Sequence, residues 1–312
     1  MENYIEYCLM ENDSPKFQQS YLTDQDADEC LKRYKTLSRK LEIENLFDVF
    51  VEEFITFKSL LSEVQFSQEF SQFSEVYAYI ENQRIRTKLN VSYLSILNIG
   101  KLVLDRFYYE NSKFSILNEI DESLVDSFLL EREKVFNENQ SYLLSCNLRN
   151  LCQHKLLPIN RLTFQFPSLG VNGKDVTSGF HIPLVISSLK RSDKKLLLKK
   201  LDPDFKQELL EKDKIDLNRV IDGYFEGIFD QMTKLRSLAT TSIRDAEDYF
   251  ARLNEKYFDK KLLFSPASIF INKERRFSLG FEWFRVAHYL EEKNNIHYFK
   301  RKNLIRTQYI GN

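Results

Sequence analysis

From residue 16 to residue 157 the chain contains no proline and a single glycine, Gly100. Sandwiches and barrels need turn residues every 8–12 positions or so, and helices do not, so this half is expected to be helical. Glycine and proline are scarce throughout, 8 and 6 in 312 residues. With 43% hydrophobic residues, including 26 Phe and 16 Tyr, the chain has ample material for a core, which excludes intrinsic disorder.

Apolar periodicity places the helices. Ile43, Leu46, Phe47, Phe50, Val51, Phe54, Phe57, Leu60 and Leu61 recur at three- and four-residue steps within a helix expected over 26–62. A second helix is expected over 66–110, with a break possible at Gly100, and two shorter ones over 121–136 and 138–157, the last closed by Pro158. Four consecutive helices with short connections suggest an antiparallel bundle. Residues 1–25 read as an acidic, irregular lead-in ending at the helix cap Thr23-Asp24.

Beyond 158 the texture changes. Arg161–Phe166 alternates strictly, Asn172-Gly173 marks a turn, and Phe180, Ile182, Leu184 and Ile186 alternate again, which predicts a β-hairpin. Helix is expected again over 195–258, with another short hairpin over 267–282 and a last helix over 283–293. The expected fold is therefore mainly α: a lead-in (1–25), a helical bundle (26–157), then a β-hairpin plus further helices and a basic tail (158–312).

Charge excludes a generally basic nucleic-acid coat, since 45 Lys and Arg meet 46 Asp and Glu. Local excess remains possible: Lys190, Arg191, Lys194, Lys195, Lys199 and Lys200 lie close together, as candidates for phosphate contacts or simply to solubilise a helix start. No apolar run approaches 18 residues, and the acidic N-terminus lacks the pattern of a signal peptide, so no membrane contact and a cytoplasmic location are expected. Cys8, Cys30, Cys146 and Cys152 read as free thiols. No metal-ligand spacing, phosphate loop or dinucleotide fingerprint occurs, so neither a metal nor a cofactor is expected.

Of four histidines, His181, His288 and His297 invite structural or surface roles. His154 is set apart by its neighbours Arg149, Asn150 and Gln153. On a helical projection with Leu144 at zero, Leu144, Leu148 and Leu151 form one stripe, and Arg149, Gln153, Asn150 and His154 fall at about 140°, 180°, 240° and 280°. That arc faces away from the expected core, with Asn150 and His154 one turn apart. A histidine can move a proton near neutral pH, a guanidinium can stabilise a dianionic phosphorane, and an amide can orient either. Together they suit RNA cleavage by the ribose's own 2′-hydroxyl. A lone copy offers one His where two proton-transfer groups are often used, so a two-fold partner would complete the set.

Arg149-Asn150-x-x-x-His154, late in a four-helix bundle, resembles the HEPN superfamily of helical ribonucleases, whose motif is Arg, four to six residues, then His. The resemblance covers 26–157. It implies an HEPN-like bundle, catalytic Arg149 and His154 with supporting Asn150, a homodimer with a composite cleft, and metal-independent endoribonuclease (RNA hydrolase) activity. It also implies an antiviral-defence, abortive-infection or toxin role, with an antitoxin or defence-complex partner. Glu81, Arg84 and Lys88 are candidates for the cleft rim, or else form a solvated row of ion pairs. Gln153 and the tail's Lys300, Arg301 and Lys302 are candidate RNA contacts. The alternative is a catalytically silent HEPN-like module that binds RNA or a partner protein.

Overall fold

The structure, a computed structural model, describes residues 2–11, 14–70, 75–109, 115–165, 179–257 and 267–295. The chain is mainly α, with short strands at intervals. In order it forms β1 (Asn3–Glu11), β2 (Ser14–Leu22), α1 (Asp24–Phe70), α2 (Glu75–Phe107), α3 (Ile116–Asp121), α4 (Val125–Glu138), α5 (Gln140–Cys152), β3 (Thr163–Gln165), β4 (Gly179–His181), β5 (Pro183–Val185), α6 (Arg191–Leu197), α7 (Pro203–Lys212), β6 (Lys214–Asp216), α8 (Leu217–Tyr257), β7 (Ser268–Ile271), β8 (Glu274–Ser278) and α9 (Arg285–Lys293).

These elements group into two compact units that do not follow chain order. One comprises 1–47, 106–126 and 235–295, the other 48–105, 127–234 and 296–312. A boundary at 158 therefore does not divide the molecule. Both α1 and α8 contribute one part to each unit, which no local signal in their sequences announces.

In the first unit, residues 1–25 are not an irregular lead-in: β1 and β2 form a long antiparallel hairpin, and β1 also pairs with β7. The strand order is β2-β1-β7-β8. Acidic Glu2 and Glu6 disguise the strand, whose other face buries Ile5 beside Ile269 and Phe277. Tyr34 of α1 stacks on Phe277 at 4.0 Å between ring centroids, which fixes the helix to the sheet. Thr23 caps α1, its Oγ1 accepting from the Asp26 N–H (3.1 Å) and donating to the Asp26 carboxylate (2.8 Å).

In the second unit, residues 48–70 of α1 pack with α2, α5 and the first part of α8. Phe50, Phe57, Leu89, Tyr93, Ile96, Leu97 and Tyr224 are fully buried there. Each such side chain stabilises by about 1.5–3 kcal/mol relative to exposure. Gly100 does not break α2. A Cβ there would stand 2.6 Å from Ile228 Cδ1 and Tyr224 Cε1, so the glycine lets α8 approach. The four helices expected within 26–157 are present as α1, α2, α4 and α5, with the first part of α8 added to their unit and the short α3 assigned to the other. The predicted hairpin after 158 is present as β3 paired with β4. Pro183 instead opens β5, which pairs with β6.

Candidate functional site

Arg149, Asn150, Gln153 and His154 lie at or just beyond the C-terminal end of α5. That helix begins at Asn139, whose side chain accepts from the Tyr142 N–H (2.8 Å). It ends at Cys152 rather than 157. His154 lies in the following turn, its N–H donating to Leu151 O (3.2 Å), and the Lys155 N–H takes the same carbonyl at 2.8 Å. The helix stops early because α2 holds the chain beyond it. Asn90, buried, donates to Ile159 O (2.7 Å) and accepts from the Ile159 N–H (2.9 Å), and Arg86 donates to Asn160 O (3.0 Å). An open cavity of about 270 Å³ lies beside this clamp, lined by Arg86, Asn90, Val91, Leu157 and Ile159 among others.

Asn150, Gln153 and His154 are exposed, as the projection expected. Arg149 is not. It is half-buried, because α5 is covered on two sides. Tyr142, Cys146 and Arg149 form a second stripe facing α8, with Tyr142 stacked on Tyr224 at 5.7 Å. Burial pushes the Cys146 thiol up to about 11, with Arg149's charge among the weaker opposing influences. Burial also raises Tyr224, again against Arg149. The Nε of Arg149 is enclosed without an acceptor. Asn150 and His154, now on different backbone segments, form no hydrogen bond with each other among the described residues. Cys152 is a packing thiol, pushed up to about 12 by burial.

The candidate rim residues resolve differently. Arg84 forms a two-pronged ion pair with Glu81 (Nε to Oε2, 2.8 Å), holding the Glu81 carboxyl below its ordinary range. Lys88 is exposed nearby on α2. None of the three forms a hydrogen bond or ion pair with Arg149, Asn150 or His154 among the described residues. Lys300, Arg301, Lys302 and His297 lie outside the described residues.

Sequence reasoning missed the residues that position the turn. Asn90 was the available signal, an amide at the turn where α2 passes from polar Gln83, Arg86 and Thr87 to apolar Tyr93, Leu94 and Leu97. Lys155 was another: its Nζ pairs with Asp193 Oδ1 of α6 at 2.7 Å, holding that carboxyl below the usual range.

His288 acquires partners that sequence spacing did not reveal. In the first unit its Nε2 meets Glu247 Oε1 at 2.7 Å and its Nδ1 lies 3.4 Å from Lys40 Nζ. Lys40 also pairs with Glu291 (2.9 Å), and Arg236 grips buried Glu44 at 2.9 and 2.6 Å. These pairs line a cavity of about 370 Å³. Each of these charges is answered by a neighbour, as a structural network requires. Among the described residues no three His, Cys, Asp or Glu side chains cluster as metal ligands would, and no helix is long and apolar enough to cross a membrane. No family model, curated protein or solved structure matches the chain.

Proposed function

We propose that the chain is a metal-independent endoribonuclease that acts on RNA in the cytoplasm as a homodimer, as an antiviral-defence or toxin effector. The observation that carries this reading is the set Arg149, Asn150 and His154 at and just beyond the C-terminal end of α5, none with a side-chain hydrogen bond or ion pair among the described residues. Arg149 is half-buried, and its guanidinium offers a planar fork of donors of the kind that suits a phosphate.

In this mechanism the ribose 2′-oxygen attacks the adjacent phosphorus as its proton leaves, and the P–O5′ bond breaks as the 5′-oxygen gains a proton. His154 serves one transfer and the second copy's histidine the other. Arg149 neutralises the phosphorane oxygens, and Asn150 orients the phosphate or the imidazole. The products carry a 2′,3′-cyclic phosphate and a 5′-hydroxyl.

The test is cleavage of single-stranded RNA in EDTA by the full chain and its variants. His154→Ala is expected to reduce the rate by about 10²–10⁴-fold. Arg149→Ala should reduce it by about 10²–10³-fold, and Arg149→Lys should rescue only in part, because a point charge replaces a planar fork. Cleavage that needs Mg²⁺, or that persists in both Ala variants, would overturn the reading. The enclosed Arg149 Nε favours one competitor, a catalytically silent module. That competitor predicts RNA or partner-protein binding with no cleavage under any condition.

A further inference from the structure

The basic stretch that opens α6 is brought against the candidate site by contacts at both of its ends. Asp193, in its first turn, pairs with Lys155, the residue after His154, at 2.7 Å. At the other end, Asn147 Nδ2 donates to Leu197 O (3.0 Å) and Lys199 O (2.8 Å). Residue 193 thus meets 155 while 197 and 199 meet 147, so α6 runs antiparallel beside α5. Its length covers the stretch, about 12 Å long at helical rise, that carries Arg149, Asn150 and His154. Leu197 and Leu198 are buried and anchor it.

The outward side is cationic. Lys190, Arg191, Lys195 and Lys199 are exposed and Lys194 is half-exposed. None of the five has an ion-pair partner among the described residues. Other helices of this chain answer their bases with acids one turn away, as in Arg33–Glu29, Arg84–Glu81 and Lys212–Glu208. Here 190–200 holds six bases and one acid in a chain of 45 bases and 46 acids, and that acid is taken by Lys155. Lys190 with Lys194, and Arg191 with Lys195, stack like charges one turn apart, which destabilises a helix. Solubility alone does not call for such an arrangement.

We propose that α6 is a phosphate track that holds the backbone of single-stranded RNA against the end of α5, with Lys190, Arg191 and Lys195 as its principal contacts. This rests on the ribonuclease reading for its substrate. It adds a binding surface that is separate from the reacting groups, so the two can fail separately.

The experiment measures binding of a fluorescent, fully 2′-O-methyl RNA of roughly 16 nucleotides, which cannot be cut by 2′-hydroxyl attack. The protein is full-length His154→Ala, alone and with the triple change Lys190→Gln, Arg191→Gln, Lys195→Gln. Circular dichroism checks the fold. The track predicts about tenfold or greater weakening at 50 mM salt, and a fall of about 2 in the slope of log K against log salt, near 0.7 per charge removed. A control triple, Lys206→Gln, Lys212→Gln, Lys234→Gln, removes the same charge elsewhere and should change binding little. Equal weakening by both triples would overturn the proposal, since net charge alone would then explain it. Unchanged affinity in the α6 triple would also overturn it, and would assign those cations to another partner such as an acidic protein. If the parent protein binds no RNA, the track is refuted outright. Cleavage of unmodified RNA in EDTA by the wild-type chain separately reports whether the ribonuclease reading survives.

Discussion

Replacing Asn90 by alanine removes the clamp that fixes the chain just after His154, and its cost follows from the hydrogen bonds. The amide gives two donations, to Ile159 O (2.7 Å) and Arg86 O (2.9 Å), and accepts one, from the Ile159 N–H (2.9 Å). Ile159 is 2% exposed, so the variant leaves a buried N–H and a buried C=O without their partner. Each orphaned group costs about 1–3 kcal/mol, and water entering the adjoining cavity of about 270 Å³ recovers part of that. A net loss of about 2–3 kcal/mol is expected, or roughly 4–12 °C in melting temperature for a unit of this size. Far-UV circular dichroism should show this drop. Tryptophan fluorescence would follow the other unit, because the single tryptophan, Trp283, lies there. Hydrogen exchange should speed up at Ile159, and RNA cleavage should fall because His154 loses its anchored neighbour. A melting temperature within 1 °C of wild type, or unaltered exchange at Ile159, would refute the argument that α2 positions the turn.

Three further outcomes follow from the same geometry. Gly100→Ala puts a methyl group 2.6 Å from Ile228 and Tyr224 and should destabilise by about 1–3 kcal/mol in urea denaturation, whereas a neutral result would mean that α8 can retreat at no cost. Cys152, with its thiol near 12 instead of 9.0, should carry about a thousandfold less thiolate than an ordinary cysteine at pH 8, so native-state alkylation followed by mass spectrometry should find it among the slowest sites; rapid labelling would contradict its burial. The Asp193 carboxyl is depressed mainly by its hydrogen bond from Lys155. Its contribution to holding α6 is therefore complete above the unfolded carboxylate range and lost as pH falls through the lower folded value. Hydrogen exchange across α6 should accelerate in that acid window, and Asp193→Asn should abolish the pH dependence.

The helices were readable because a long stretch without proline, and with one glycine, permits little else, and Ile43, Phe47, Phe50 and Phe57 mark a buried face. What escaped reading was partnership between distant segments. The N-terminal hairpin hides behind Glu2 and Glu6 and draws part of its sheet from residues 268–278, more than 240 positions away. The membership of α8 in the helical core rests on Gly223 and Gly227, where a Cβ would collide with Ser141 and Tyr142 at 2.3 and 2.6 Å. Two glycines four apart in a helix were the only hint. At the candidate site, the exposure of Asn150 and His154 was legible from periodicity. The half-burial of Arg149 was not, because a projection built on one leucine stripe assumes one buried side, and α8 supplies a second. The early end of α5 was hidden for a similar reason: it is fixed by Asn90, more than sixty residues upstream.

The proposed reaction makes the ribose 2′-hydroxyl the nucleophile that cuts RNA, with His154 transferring a proton and Arg149 stabilising the phosphorane. Mass spectrometry of the fragments released in EDTA reads this directly from their ends. The account predicts 2′,3′-cyclic phosphate or 3′-phosphate paired with 5′-hydroxyl, no cutting of DNA or of RNA methylated at the 2′-oxygen, and loss of these fragments in His154→Ala. Fragments bearing 5′-phosphate and 3′-hydroxyl would mean that water or a metal-bound hydroxide attacks instead, and would contradict it.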